Sequence, residues 1–203
     1  MDGKIFISYC WKEPSGSIVN NWLVPAIKAA GINCLVDREA CGYNANIDKF
    51  EADISKATKV VLVLSPAFFT SLDCMYEAAL TVSKCDVEKQ VYVINIVDYN
   101  FRKDADKWLE RADSFFESLK KECEEAMTNL SDSGKGFYRD KLRKINTIIN
   151  HLGNLWRMLG SKNSGTFDDI SKKGFELVCK ELNKSVEESM RKTESLSNTI
   201  ITP

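Results

Sequence analysis

Lys59-Val60-Val61-Leu62-Val63-Leu64-Ser65-Pro66-Ala67-Phe68-Phe69-Thr70-Ser71-Leu72-Asp73-Cys74-Met75-Tyr76-Glu77 is the stretch on which the fold turns. After Lys59 the first residues are all β-branched or aliphatic, the composition of a central parallel strand covered on both faces. Ser65-Pro66 ends it. Ser71 is then placed to cap a helix whose apolar positions Leu72, Met75, Ala79 and Val82 recur at helical spacing, with Glu77 on a flank of its second turn. Ligands of open α/β sheets bind outside the carboxyl ends of the strands. The acid therefore falls at a binding rim.

Outward from this stretch, strand-like and helix-like segments alternate, the pattern of a parallel sheet with crossover helices. Lys4 to Tyr9 reads as the first strand. Ser17 to Ala30 reads as the first helix, striped by Val19, Trp22, Leu23, Ala26, Ile27 and Ala30 and stopped by Gly31. Ile32 to Asp37 is the second strand, Ile47 to Ala57 a second helix, and Gln90 to Val97 a fourth strand. No strong fifth strand is visible, so the expected sheet has four to five. Beyond Asp98, Ala105 to Leu130 carries Trp108, Ala112, Phe115, Leu119, Cys123, Met127 and Leu130 at steps of three and four. Tyr138 to Leu159 repeats the pattern with Leu142, Ile145, Ile149, Leu152, Trp156 and Leu159, which predicts an αα-hairpin. These stripes read most simply as packing surfaces, of the hairpin against itself or against the sheet. A last helix is expected over Phe167 to Met190. The predicted division is a core over residues 1–100, a hairpin insertion over 101–160, a final helix on the core over 161–190, and a flexible tail over 191–203.

The chain has 203 residues, a formal net charge of -1 and a pI near 6.0. That balance offers no bulk attraction to nucleic acid or an acidic membrane. Seven cysteines, an odd number, are scattered without a CxxC pair, and His151 is the only histidine. The thiols read as reduced and mostly buried, and neither a metal site nor a Cys/His nucleophile has its usual parts. The sequence has no apolar run of membrane-spanning length and its start lacks a signal-peptide core, so a soluble, cytoplasmic chain is expected. GxxxxGK[ST] and GxGxxG are absent, which argues against a P-loop hydrolase and a dinucleotide-binding Rossmann domain.

Three separated motifs carry a family resemblance: Ile5-Phe6-Ile7-Ser8-Tyr9 with Trp11 nearby, Asp37-Arg38, and Val63 to Phe68 followed by Ser71 to Glu77. In this order and spacing the first half of the chain resembles the Toll/interleukin-1 receptor (TIR) domain, particularly its bacterial and plant-like members. The resemblance implies a flavodoxin-like α/β fold and, in the enzymatic branch, cleavage of NAD+ at the nicotinamide-ribose bond. The family's catalytic glutamate, in the pattern S-x-W-C-x-x-E, falls on Glu77, with Ser71 and Cys74 in register and Asp73 where many members carry Trp.

On that resemblance the expected activity is that of an NAD+ nucleosidase or ADP-ribosyl cyclase in bacterial antiphage defence or signalling. NAD+ is the substrate and no cofactor or metal is expected. Glu77 is the catalytic candidate. Tyr9, Trp11, Arg38, Ser71, Cys74 and Tyr76 are candidates for substrate binding. Three of these have a plainer reading: Glu77 as a solvated helix-face acid, Tyr76 as packing, Arg38 as a surface ion pair with Asp37 or Glu39. Phe6, between Ile5 and Ile7, reads at least as well as core. Expected partners are further copies of the chain, through TIR-TIR contacts, and a downstream protein or nucleotide-signal receiver. Two other functions fit the residues: a non-catalytic adaptor acting by homotypic binding, and a nucleoside deoxyribosyltransferase-like enzyme using its glutamate as nucleophile.

Overall fold

The computed structural model describes residues 5–36, 54, 57–96, 101–128, 130–162, 165–172, 175–184 and 187. Most of the helix expected at Ile47–Ala57, Arg38 with its loop, and the expected tail at 191–203 lie outside the described residues. Five strands form one parallel sheet: β1 (Ile5–Tyr9), β2 (Cys34–Val36), β3 (Lys59–Leu64), β4 (Val91–Asn95) and β5 (Gly165–Thr166), in the order β2-β1-β3-β4-β5. That order is the flavodoxin-like doubly wound one. The fifth strand has two residues, too short to leave a hydrophobic pattern in the sequence.

Alternation along the central strands divides the interior in two. Phe6, Val60, Leu62, Leu64, Val91 and Val93 face one side with Phe68, Met75 and Ala79. Ile5, Ile7, Tyr9, Val61, Val63 and Ile94 face the other with Val19, Leu23 and Ile27.

On the second side lies the first helical segment, α1 (Ser15–Ile18), a π-helical turn (Val19–Leu23) and α2 (Val24–Ala29). The wider π turn shifts the apolar stripe: Val19, Leu23, Val24 and Ile27 are buried, whereas Trp22, expected on the stripe, is 60% exposed. The expected last helix is broken. Here α7 (Phe167–Ser171) ends, Phe175 takes the left-handed φ of 60° while its N–H reaches the Ile170 carbonyl, and a helical stretch resumes over 176–184. Both parts pack with the first helical segment, through Ile170, Phe175, Val178 and Leu182.

On the first side lie α3 (Leu72–Lys84), the short α4 (Val87–Gln90), and the hairpin α5 (Phe101–Thr128) and α6 (Gly136–Ser161). The hairpin is the crossover between β4 and β5. Its helix α6 packs against both α5 and α3, so its buried set (Ile145, Ile148, Leu152, Leu155, Trp156, Met158 and Leu159) is wider than a single stripe. Phe69, in the 3-10 turn Phe68–Thr70 that precedes α3, meets Trp108 and Trp156 at ring-centroid distances of 5.5 and 5.4 Å. These offset aromatic contacts tie both hairpin helices to the start of α3.

Candidate functional site

Glu77 is held by a helix with a well-defined start. The Ser71 backbone is extended, its Oγ accepts from the Cys74 N–H at 3.4 Å, and its carbonyl accepts from the Met75 N–H at 3.0 Å. These bonds satisfy N–H groups that a helix end otherwise leaves open. Upstream, the Ser65 carbonyl accepts from the Phe68 N–H at 3.0 Å, which folds the chain back over the end of β3.

The pattern of α3 is amphipathic, yet residues 74–81 are all buried. The reason is α6, which covers the face that a two-layer arrangement would leave in water. Glu77, expected on a flank, is only 3% exposed. The plain reading of a solvated surface acid does not apply to it. Burying a carboxylate is costly unless its surroundings use the charge.

Strand register shows which polar residues lie on the side of the sheet that α3 covers. Ser8 pairs with Leu62 and Leu62 with Val93, while Leu64 pairs with Asn95. Neighbours in a parallel sheet share a face, so Ser8 and Asn95 lie on the side covered by α3, and Cys10, two residues past Ser8, lies there too. All three are buried, at 0%, 2% and 5% exposure. The Ser8 hydroxyl has no hydrogen-bond partner among the described residues. Polar groups thus collect at the carboxyl end of an otherwise apolar layer, beneath α3.

Cys10 and Cys74 belong to the same buried cluster on this side of the sheet, and each thiol perturbs the titration of the other. The neighbouring Cys74 thiol is the main reason that the Cys10 thiol is pulled down to about 6, with the Lys12 N–H and ammonium adding to it against the opposing effect of burial. Cys74 moves well above the usual thiol range, because of Cys10 first, then burial, then the Glu77 charge.

The other predicted residues divide clearly. Ser71 and Cys74 stand beside Glu77 at the start of α3. Tyr76 is 3% exposed and lies under the Lys144 ammonium, 5.6 Å from its ring centroid. The same Lys144, from α6, pairs with Asp73. Tyr9 belongs to the opposite layer, 1% exposed, with its hydroxyl 3.4 Å from Asn20 Oδ1. Trp11, past the strand end, is 54% exposed. Cys10, Ser8, Asn95 and Lys144 were not singled out from the sequence. Alternation along β1 groups Ser8 with Cys10; Asn95 and Lys144 emerge only from tertiary pairing. Among the described residues no group of His, Cys, Asp and Glu is arranged to hold a metal ion, and no helix is long and apolar enough to cross a membrane.

The family model described as "TIR domain" matches residues 5–129, a stretch that runs from the first residue of β1 to just past the end of α5. A solved structure of the activated Roq1 resistosome directly recognizing the pathogen effector XopQ (TIR domains) aligns with 94% of this chain and 99% of that chain, at 14% identity and a TM-score of 0.48. A search of curated proteins gave no match.

Proposed function

The chain belongs to the TIR-domain family, and on that premise we propose that it cleaves the nicotinamide-ribose bond of NAD+, with Glu77 as the catalytic carboxylate. The observation that carries the reading is the burial of Glu77, 3% exposed, at the carboxyl end of a parallel sheet. A carboxylate in such a place interacts strongly with positive charge, since little water screens it.

The chemistry asks for little else. Nicotinamide leaves NAD+ as a neutral base, so no general acid is needed, unlike the departure of a sugar oxygen. As the bond lengthens, positive charge develops on the ribose, and a fixed carboxylate stabilises it without reorganising. Water attack then gives ADP-ribose and a proton. Attack by an adenine nitrogen of the same molecule gives a cyclic ADP-ribose-type product instead. Ser71 and Cys74 set the place of Glu77 by fixing the first turn of its helix. Trp11, exposed beyond β1, is available to stack on a ring of the substrate.

The setting we propose is cytoplasmic, in antiphage defence or signalling, with copies of the chain associating through TIR-TIR contacts and the product read by a downstream receiver. The test is nicotinamide release from NAD+ by the purified chain, with and without a crowding agent, beside Glu77→Gln. The expected result is release that falls by about a hundredfold or more in the variant. Folded, self-associated protein that releases no nicotinamide in any condition points to a non-catalytic adaptor. Transfer of deoxyribose between nucleobases points to a deoxyribosyltransferase.

A further inference from the structure

Lys144 brings a positive charge to the Glu77 helix from outside it. It lies on α6, beyond the stretch 5–129 that the family model matches. Ile145 beside it and Ile148 one turn on are buried, and the Lys144 side chain itself is only 20% exposed. Its ammonium is held at two points of α3: it donates to the Asp73 carboxylate, and it stands over the Tyr76 ring, 5.6 Å from the centroid. Both points belong to the turn that leads into Glu77. Asp73, Glu77 and Thr81 follow at steps of four and share one face of α3. Along that face the exposed Asp73 stands at the open end, Glu77 is buried, and Thr81, also buried, donates to the Glu77 carbonyl at 2.8 Å. One end of the stripe is tied within the helix; the other carries a cation from the hairpin.

We propose that Lys144 recognises the anionic diphosphate of the dinucleotide, and that Asp73 holds it at the entrance until the substrate takes it over. The proposal rests on the NAD+-cleaving reading of the Glu77 site.

Length and charge both support this. Residues four apart on a helix stand about 6 Å apart along its axis, about the span of the ribose that separates the scissile bond from the phosphates. A substrate lying along the stripe with its anomeric carbon at Glu77 brings its diphosphate level with Asp73 and the Lys144 ammonium. NAD+ carries positive charge on the nicotinamide and negative charge on the diphosphate, so a carboxylate suits one end of this span and an ammonium the other. The bond to Asp73, a side chain 70% exposed, is worth little, and giving it up costs little. Phosphate oxygens offer shorter and stronger charge-assisted bonds in exchange. The Tyr76 ring keeps the ammonium in place during the transfer.

A bracing ion pair and an exchanged one differ in sign. If the pair only holds α6 against α3, losing either partner harms binding alike. If Lys144 passes from Asp73 to the substrate, losing Lys144 weakens binding, whereas removing the Asp73 charge strengthens it. The experiment measures the KM for NAD+ from nicotinamide release, and by calorimetry the Kd for ADP-ribose, which keeps the diphosphate and has no nicotinamide to lose. Each variant of the full chain is checked for fold by circular dichroism. Lys144→Ala is expected to raise both constants by about tenfold, and Asp73→Asn to lower both by about threefold. Lys144→Arg, which keeps a phosphate-binding cation, is expected to retain most of the affinity. The loss is expected to be confined to ligands with the diphosphate: nicotinamide riboside has the scissile bond without it.

The proposal is overturned if Lys144→Ala leaves the KM for NAD+ and the Kd for ADP-ribose where they were, or if Asp73→Asn weakens binding as Lys144→Ala does. It is also overturned if cleavage of nicotinamide riboside suffers the same loss as that of NAD+, or if the folded wild-type chain neither cleaves NAD+ nor binds ADP-ribose. If ADP-ribose binds with the expected signs while no nicotinamide is ever released, the nucleosidase reading fails and the assignment of Lys144 stands.

Discussion

Ser71 contributes to the site without touching a substrate, because its Oγ holds the N–H of Cys74 and so sets the start of α3. Ser71→Ala is expected to cost about 1 kcal/mol of stability, read as a lowered midpoint in urea unfolding. Gly16 acts through space: a Cβ there would lie 2.7 Å from the Trp11 carbonyl oxygen, so the loop after β1 folds onto α1 only because this residue has no side chain. Cys10 links the same loop to pH. Its thiol titrates near 6 in the folded chain and near 9 when unfolded, so between these values the unfolded state binds more protons and stability rises with pH. Falling pH removes that contribution as it passes from 9 to 6. The melting temperature is therefore expected to climb from pH 6 to pH 8 more steeply than in Cys10→Ser, as scanning calorimetry reads it. Glu77 was legible in the sequence because cap, helix period and strand all lie within twenty residues of it in the chain. Cys10 and Asn95 were not, because their sharing a face depends on the pairing of β1, β3 and β4, which no local pattern encodes.

Among the elements, the hairpin has most to do with the site. Its helix α6 buries the outer face of α3, and its two tryptophans enclose Phe69. Trp156→Ala is expected to cost about 3–5 kcal/mol, whereas Phe137→Ala, at a side chain 71% exposed near the hairpin turn, is expected to change stability by about 0.5 kcal/mol or less; chemical denaturation distinguishes them. The Lys144–Asp73 pair sits at the edge of this contact and is worth little in stability, since Asp73 is 70% exposed. Both hairpin helices were legible from their spacing, to within a few residues at each end. The choice of Phe116 over Phe115 for the innermost position was not, since helix spacing leaves adjacent residues on a broad stripe nearly equivalent. Nor was the break before 176–184: apolar spacing continues through it, and a left-handed Phe175 leaves no mark in composition.

Across the whole molecule, a parallel sheet with crossover helices was legible from apolar runs alternating with helical stripes, while its flavodoxin-like arrangement was implied by the family resemblance. What remained hidden was inequality between the faces. One carries single helical segments; the other carries α3 with a second helical layer packed over it. The two-helix crossover from β4 to β5 also sets a timetable. Its partners are neighbours along the chain, so α5 and α6 pair at little loop-closure cost, while β1 must find β3 across some fifty residues. The hairpin is thus ready before the sheet and offers α3 a surface on which to settle. Substitutions between α5 and α6 should slow refolding in stopped-flow experiments, and those around β5 should chiefly hasten unfolding. The helix bearing Glu77 would then be seated from outside first, with the sheet closing beneath it afterwards.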